Sequence, residues 1–282
     1  MMKTTTRDDY IQSVFKVVLY IEEHYNEALT LDMLSREASF SKFHFHRVFK
    51  SVTGESLGDY IRRVRLSTAT LKFLTNQKIT QIAMDSGYET NASFSKAFKQ
   101  HYGMTPKEFS RSAKMIKGAK MPKPKFVELE AVDVLYVRKK GDYMRSCAEA
   151  WEVLMGFAYT QKIKEKKNLM GKEAMMLGVS HDDPSITAMD ELRCDACISW
   201  DDKSVKPQGE VLSKTIEGGK YAMFLHKGSY DGLKNAYEEV ADWIVQSGEE
   251  LRECPIFEKY LNRDPRRTKP ENLRTEIYVP IK

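Results

Sequence analysis

Two histidines and two cysteines stand at spacings that invite chemistry, and each pair has to be judged on the element that carries it. Cys194 and Cys197 form a C-x-x-C, the spacing of redox dithiols and of half a zinc site, inside the run ELRCDACISW. That run reads as a strand, in which positions i and i+3 point to opposite faces, so the two sulfurs diverge. No second Cys or His pair stands nearby to complete a metal set. His44 and His46 fall in SKFHFHRVFK, residues 41–50. On a helix, residues two apart are separated by about 200° and cannot chelate one ion. No Ser-His-Asp or Cys-His arrangement emerges by spacing, so neither enzyme chemistry nor a metal or other cofactor is expected. What remains is recognition by charge: an aromatic and cationic stripe around His46, and Glu258 alternating with Tyr260 on one strand face. A carboxylate in an aromatic-lined cleft keeps its charge only if a cation offsets its desolvation, so it would select amphipathic cations.

A chain of 282 residues is too long for one ordinary core and suits two domains; 41% apolar and 11% aromatic residues are ample for both. The net charge of +5 is unevenly placed: residues 1–125 hold 21 Lys/Arg against 12 Asp/Glu, and 126–282 hold 24 against 28. A basic front half points to a polyanionic partner, and an acidic back half to another task. The start, MMKTTTRDDY, has no apolar signal core, and no run approaches the ~18 apolar residues of a membrane span, so a cytoplasmic protein without membrane contact is expected. Four cysteines in so long a chain make no disulfide framework.

Several elements must position these groups. Ile11, Val14, Val18, Ile21 and Tyr25 recur at helical spacing, and Thr30 caps LDMLSREAS. A break at Phe40-Ser41 precedes the 41–50 segment, which stops near Gly54. Ser56 caps a long helix at 57–75 with a stripe of Tyr60, Ile61, Val64, Thr68, Leu71 and Leu74. FHRVFKSVTG at 45–54 then recurs as FSKAFKQHYG at 94–103, a constant offset that repeats F-x-[KR]-x-F-K-x4-G. Helix, tight turn and helix occur twice, an all-α double helix-turn-helix domain over 1–114. MIKGAKMPKPK loses periodicity, so 115–124 is expected to be a linker. Residues 125–282 repeat as well. YVRKKGDY at 136–143 resembles FLHKGSY at 224–230, each followed by a helical stretch holding Trp151 or Trp243. AMMLGVSHDDP and PIFEKYLNRDP come next, then LRCDACISW and LRTEIYVPI. Two strand-helix-strand-strand units make an α+β domain of quasi-twofold symmetry. Lining up the Asp-Pro ends sets Glu258 and Tyr260 against Leu177 and Val179.

Helix periodicity divides the 41–50 segment. Phe45, Val48, Phe49 and Val52 form the buried stripe, while Phe43, His46, Arg47 and Lys50 lie opposite, with Lys42 at the start. Such a stripe suits the DNA major groove, where Arg and Lys reach guanine edges or phosphates and an apolar group meets a thymine methyl. In the second copy Phe94, Ala97 and Phe98 pack inward. Asn91, Ala92, Ser95, Lys96 and Lys99 face out, with Asn91 able to read adenine and the lysines to meet phosphate. Two such helices about one DNA turn apart, ~34 Å, could enter successive major grooves from one side.

SKFHFHRVFKSVTGESLGDYIRRVRL and IAMDSGYETNASFSKAFKQHYGMTPKEF give residues 8–114 a specific resemblance to the DNA-binding domain of the AraC/XylS family of transcription regulators, its small MarA/SoxS/Rob group in particular. Carried over by position, the resemblance places base reading on Phe43, His46 and Arg47 and on Asn91, Ala92, Ser93, Ser95 and Lys96. Phe43 stands where close relatives often carry Trp and Ala92 where they carry a polar residue, so base preference does not transfer. GKYAMFLHKGSY, PIFEKYLNRDP and TEIYVPI resemble, in order, the GyrI-like effector-binding domain. That resemblance implies two repeats around a cleft, with the ligand-binding glutamate at Glu258. Tyr260 beside it and Tyr136, Trp151, Tyr230, Tyr237 and Trp243 are wall candidates. The expected protein is a promoter-binding regulator, an activator, whose partners are double-stranded DNA, RNA polymerase and a small-molecule effector. The alternatives are a back half that is a GyrI-like hydrolase or a protein-sequestration module.

Overall fold

The computed structural model describes residues 4–75, 77–114, 123–163, 174–184, 186–262 and 265–282. Two compact units divide the chain, one of Met1–Met115 and one formed by nearly all that follows. Most of the linker expected at 115–124 lies outside the described residues.

In the first unit α1 (Thr4–Glu23) begins ahead of the periodic stretch, followed by α2 (Leu31–Glu37), α3 (Lys42–Thr53), α4 (Leu57–Lys72), α5 (Ile79–Asp85), α6 (Asn91–Tyr102) and α7 (Pro106–Lys114). The ends of these helices are written locally. Thr30, Ser41, Ser56 and Thr90 each cap a helix N-terminus through a side-chain oxygen, a bond worth about 1 kcal/mol. Gly54 and Gly103 close α3 and α6 in the left-handed conformation, at φ 81° and 73°. Caps and stops of α3 and α6 thus recur at the same offset as the sequence repeat.

The two tight turns differ by one residue. Ser39 (φ 59°) makes the left-handed bend ahead of Ser41, whereas Gly87 (φ 76°) makes it ahead of Thr90, leaving Glu89 as the extra residue. A Cβ on Gly87 would come within 2.9 Å of Asn26 Cα, so that turn needs glycine twice over, for its φ and for its space. Helix α4 packs against both α3 and α6. Its buried side chains therefore spread beyond the stripe expected from periodicity: Leu66, Ala69 and Phe73 are fully buried as well as Tyr60 and Val64. Phe45 and Phe49 enter one core with Val14, Ile21 and Leu34. Phe73 meets Phe94, Phe98 and Phe109 in another cluster of rings.

The second unit is an antiparallel sheet with two long helices. β2 (Val132–Lys140), α8 (Tyr143–Thr160), β3 (Met176–Ser180) and β4 (Arg193–Ser199) form the first repeat; β6 (Gly219–Lys227), α9 (Leu233–Ser247), β7 (Phe257–Tyr260) and β8 (Arg274–Pro280) form the second. Sequence reading did not anticipate β1 (Lys125–Leu129) and β5 (Leu212–Ile216), which occupy the two edges of the order β1-β6-β8-β7-β3-β4-β2-β5. Each is exchanged: β1 leads into the first repeat but pairs with β6 of the second, and β5 leads into the second but pairs with β2 of the first. Gly218 lies where the connection from β1 to β2 passes, and a Cβ there would stand 2.7 Å from Ala131 N. The repeats meet at the β3–β7 pair, with Gly178 directly opposite Glu258.

One face of the first repeat carries α8. Leu135, Val137, Ala196 and Ile198 pack there with Ala150 and Leu154. The alternate residues point the other way, where Asp195 is a buried hub for Arg138 Nε at 2.6 Å, His181 and Lys214. Burial opposes the Asp195 charge, but Arg138 and Lys214 win and hold its carboxyl well below the usual carboxylate range.

Candidate DNA-reading helices and effector site

The outward stripe of α3 is open to solvent as its periodicity requires. Phe43 is 88% exposed, and Lys42, His46, Arg47 and Lys50 are exposed beside it, while Phe45, Val48 and Phe49 are buried. His44 is half-buried and leans edge-on between Tyr10 and Phe40, with ring centroids 5.2 and 5.1 Å away. Lys42 is held by Asp32 at 2.7 Å, and that bond, with Arg36 also close, keeps the Asp32 carboxyl ionised below its ordinary range. On α6, Asn91, Ala92, Lys96 and Lys99 are exposed and Ser95 half-buried. Ser93 is exposed too, but its hydroxyl donates to Thr90 O at 2.8 Å and accepts from the Thr90 hydroxyl. Its first duty is therefore the helix cap. Arg47 and Lys96 take part in no ion pair among the described residues, so neither must surrender a partner to meet a phosphate or a base.

In the second unit Glu258 is the centre of a polar site with aromatic walls. It is 5% exposed, and its two carboxylate oxygens accept from the Tyr237 hydroxyl at 2.9 Å and the Tyr260 hydroxyl at 2.6 Å. Trp151 of α8 and Tyr230, just ahead of α9, each meet the Tyr260 ring edge-on at 5.6 Å. Both are half-buried, so the aromatic rim reaches solvent while the carboxylate does not. Burial pushes the Glu258 carboxyl above its ordinary 4.5, against the two tyrosine bonds and the field of His226, which favour the charged form. Sequence periodicity alone could not have found His226 here: it lies two strands from Glu258 and shares no motif with it.

Four of the aromatic candidates, Tyr260, Tyr237, Tyr230 and Trp151, converge on Glu258; two do not. Tyr136 is fully buried on the face of β2 opposite α8, under the Lys214 ammonium at 4.7 Å and the Arg138 guanidinium at 5.8 Å. Residues next to it in sequence, Leu135 and Val137, take the α8 side, and a period of two leaves Tyr136 no choice. Trp243 packs against Phe224 at 5.2 Å and Phe126 at 6.3 Å as a core side chain. The expected counterparts of Glu258 and Tyr260 also change. Leu177 and Val179 pair with Lys259 and Phe257 and share their face, so the residue matching Glu258 by register is Gly178. The Asp-Pro alignment slipped because the second copy has one more residue between strand and Asp-Pro.

That glycine has a purpose. A Cβ on Gly178 would strike the Tyr260 hydroxyl, so the absent side chain is the space in which Tyr260 reaches Glu258. Gly178→Ala is expected to leave the strand in place and displace Tyr260, with the loss of one charge-assisted hydrogen bond of about 1.5–3 kcal/mol. Thermal unfolding should show Gly178→Ala and Tyr260→Phe lowering stability alike, and the double variant little more than either.

Paired helix-turn-helix units ahead of a pseudo-twofold α+β domain are the make-up of a DNA-binding transcription regulator with a small-molecule domain, and comparison with known proteins agrees. Residues 122–282 match the GyrI-like small molecule binding domain and residues 34–112 a helix-turn-helix domain. The chain belongs to the GyrI-like family, its small-molecule domain fused behind an AraC-type helix-turn-helix domain. It is 26% identical over 287 residues to the transcriptional regulator Rob of Salmonella typhimurium, covering 94% of this chain and 96% of that one. It is 35% identical over 94 residues to the regulatory protein SoxS of Escherichia coli, covering 33% of this chain and 88% of SoxS. The solved structure of a hydrolase from Listeria innocua aligns at TM-score 0.43 and 17% identity, over 62% of this chain and 98% of that one, too weak a likeness to carry chemistry across. No helix among the described residues is long and apolar enough to cross a membrane.

Proposed function

We propose that this chain is a transcription activator whose DNA-reading helices α3 and α6 place it on promoter DNA beside RNA polymerase, and whose output is set by an amphipathic cation bound over Glu258. The observation that carries the effector reading is a carboxylate kept in a nearly dry aromatic site with two tyrosine donors and, among the described residues, no cationic side chain bonded to it. Such a group gains most from a ligand that brings the missing positive charge and an apolar body for Trp151 and Tyr230. Base reading is assigned to Phe43, His46 and Arg47 on α3 and to Asn91, Ala92 and Ser95 on α6. Lys42, Lys50, Lys96 and Lys99 serve phosphate contact, and Ser93 combines capping with a contact of its own.

Titration with a quaternary aryl ammonium ion and with its uncharged tert-butyl isostere tests the effector reading. The cation should bind and the isostere should not; equal binding would sink the role of Glu258. Transcription from a duplex selected out of a random pool should rise with the protein present, whereas a fall would make it a repressor. The raised Glu258 carboxyl also suits a general acid, which favours hydrolysis as a second reading. Ester turnover lost in Glu258→Gln would establish it.

A further inference from the structure

Two rows of side chains cross the helix-bearing face of the sheet at the effector site. One runs Gly178, Glu258, Ile277 and Phe224 through β3, β7, β8 and β6; the next, two residues along each strand, runs Met176, Tyr260, Thr275 and His226. Phe224 meets Trp243 of α9 and Tyr260 meets Trp151 of α8, so both rows belong to the side that carries the helices. Thr275 is thereby a diagonal neighbour of Glu258, about 7–8 Å away between backbone positions. It is fully buried, yet its hydroxyl has no hydrogen-bond partner among the described residues. The first repeat shows how the matching position is satisfied. In LRCDACISW and LRTEIYVPI, Thr275 answers to Cys194, whose sulfur lies 3.5 Å from the Ser146 hydroxyl of α8. Ser146 stands three residues past the tyrosine of the repeated K-G-x-Y, and the same step in the second copy reaches Leu233, which has no polar side-chain atom to offer. Nor does the neighbouring strand supply a bond. His226, opposite Thr275, gives its Nε2 to Ser229 O at 3.0 Å, and the turn Tyr230–Gly232 closes over its ring, where a Cβ on Gly232 would stand 2.9 Å from His226 Cε1. Tyr230 of that turn is the ring that meets Tyr260.

We propose that Thr275 is a specificity residue of the effector site, its hydroxyl donating to a carbonyl oxygen of the same ligand whose positive charge Glu258 holds. The effector class is then an aromatic cation with a carbonyl a short chain away from its charge. A buried hydroxyl whose proton has no acceptor is costly, and a ligand oxygen that accepts it recovers the bond. A neutral oxygen suits the place better than a second charge, because Thr275 is fully buried and brings no countercharge of its own. Ile277, in the row of Glu258 and next but one to Thr275 along β8, gives the chain between the two ligand groups an apolar floor. The inference rests on the cation reading above and adds to it an uncharged anchor.

Calorimetric titration of the full-length chain tests it with two probes: an aryl ketone joined through a propyl chain to a trimethylammonium group, and the same cation with a methylene in place of the carbonyl. Neither has a bond that hydrolysis could cleave. The ketone should bind the wild type about five- to tenfold more tightly, the effect of one neutral hydrogen bond. Thr275→Ser, which keeps the hydroxyl, should retain that preference, and Thr275→Val, which keeps the shape, should bind the two probes alike. Empty Thr275→Val should melt no lower than the wild type, since an unbonded hydroxyl has no bond to lose. Absence of a ketone preference in the wild type, its persistence in Thr275→Val, or a lower melting temperature of that variant overturns the anchor. Binding of the methylene cation in any of those cases leaves the cation reading standing. If neither probe binds the wild type, that reading falls and the anchor falls with it.

Discussion

Glu258→Gln is expected to do two opposite things: to reduce affinity for a quaternary aryl ammonium ion about a hundredfold or more, and to raise the melting temperature of the empty protein. The first follows from charge. At an effective dielectric near 20, a pair of unit charges about 4 Å apart is worth about 4 kcal/mol before other losses, and the amide offers none of it. The second follows from burial. The carboxyl sits above its ordinary 4.5 because desolvation outweighs the Tyr260 and Tyr237 bonds, so folding favours its protonated form relative to the unfolded chain. Its contribution to stability is present in full below the unfolded value and is lost as pH rises through the folded one. Above that window the ionised group is a cost that glutamine lacks. An increment of about 1 kcal/mol would appear as about 2–4 °C for a domain of this size. Scans of both proteins at several pH values should show the variant's advantage growing with pH. Cation affinity should run the other way in the wild type, falling up to about tenfold per pH unit on the acid side, and should be flat in the variant. A variant that binds the cation normally would remove Glu258 from the site.

The second large effect concerns Arg47 on α3. Arg47→Ala is expected to weaken binding to a selected duplex by about 1–3 kcal/mol, roughly tenfold to a hundredfold, and to relax preference at the base pair it contacts. Lys96→Ala on α6 should weaken all duplexes alike and lower the slope of log affinity against log salt by about 0.9, one phosphate's worth of released counterion. The contrast makes the test sharp. Both side chains are exposed and free of ion pairs among the described residues, so neither substitution should change stability by more than about 0.5 kcal/mol. Gel mobility shifts across a salt series, with random and selected duplexes, read both quantities. Binding to the selected duplex that survives both substitutions unchanged would take DNA recognition away from these faces.

The legible part of the first unit was local. Thr30 and Ser56 cap α2 and α4, Gly54 ends α3, and the spacing of Phe45 and Phe49 already separates a buried side from the side bearing Phe43, His46 and Arg47. Each of these signals acts within a few residues of itself, through one hydrogen bond, one φ angle or one helical turn. Burial along α4 was less legible, because that helix serves two neighbours and a single stripe describes only one of them. In the second unit the repeat, the helices and the inner strands could be read, and so could Glu258 with Tyr260 beside it.

Pairing between distant strands could not. The edge strands β1 and β5 are short, half-exposed stretches that gain their partners from the opposite repeat. Likewise the alternation in YVRK allows Tyr136 either face of the sheet, and only the packing of Leu135 and Val137 on α8 sends it away from Glu258. A shift of one residue in register exchanges the faces of a strand. That is why Asp-Pro alignment pointed to Leu177, while the hydrogen-bonded ladder points to Gly178 and gives its missing side chain a meaning. The same ladder turns Cys194 toward Ser146 of α8 and Cys197 to the opposite face. By itself the sequence determined most helices of the first unit, two of their caps, the outward stripes of α3 and α6 and the acidic residue at the candidate effector site. Tertiary structure decided which aromatics stand beside that residue, because strand register is settled by contacts between segments that no local periodicity connects.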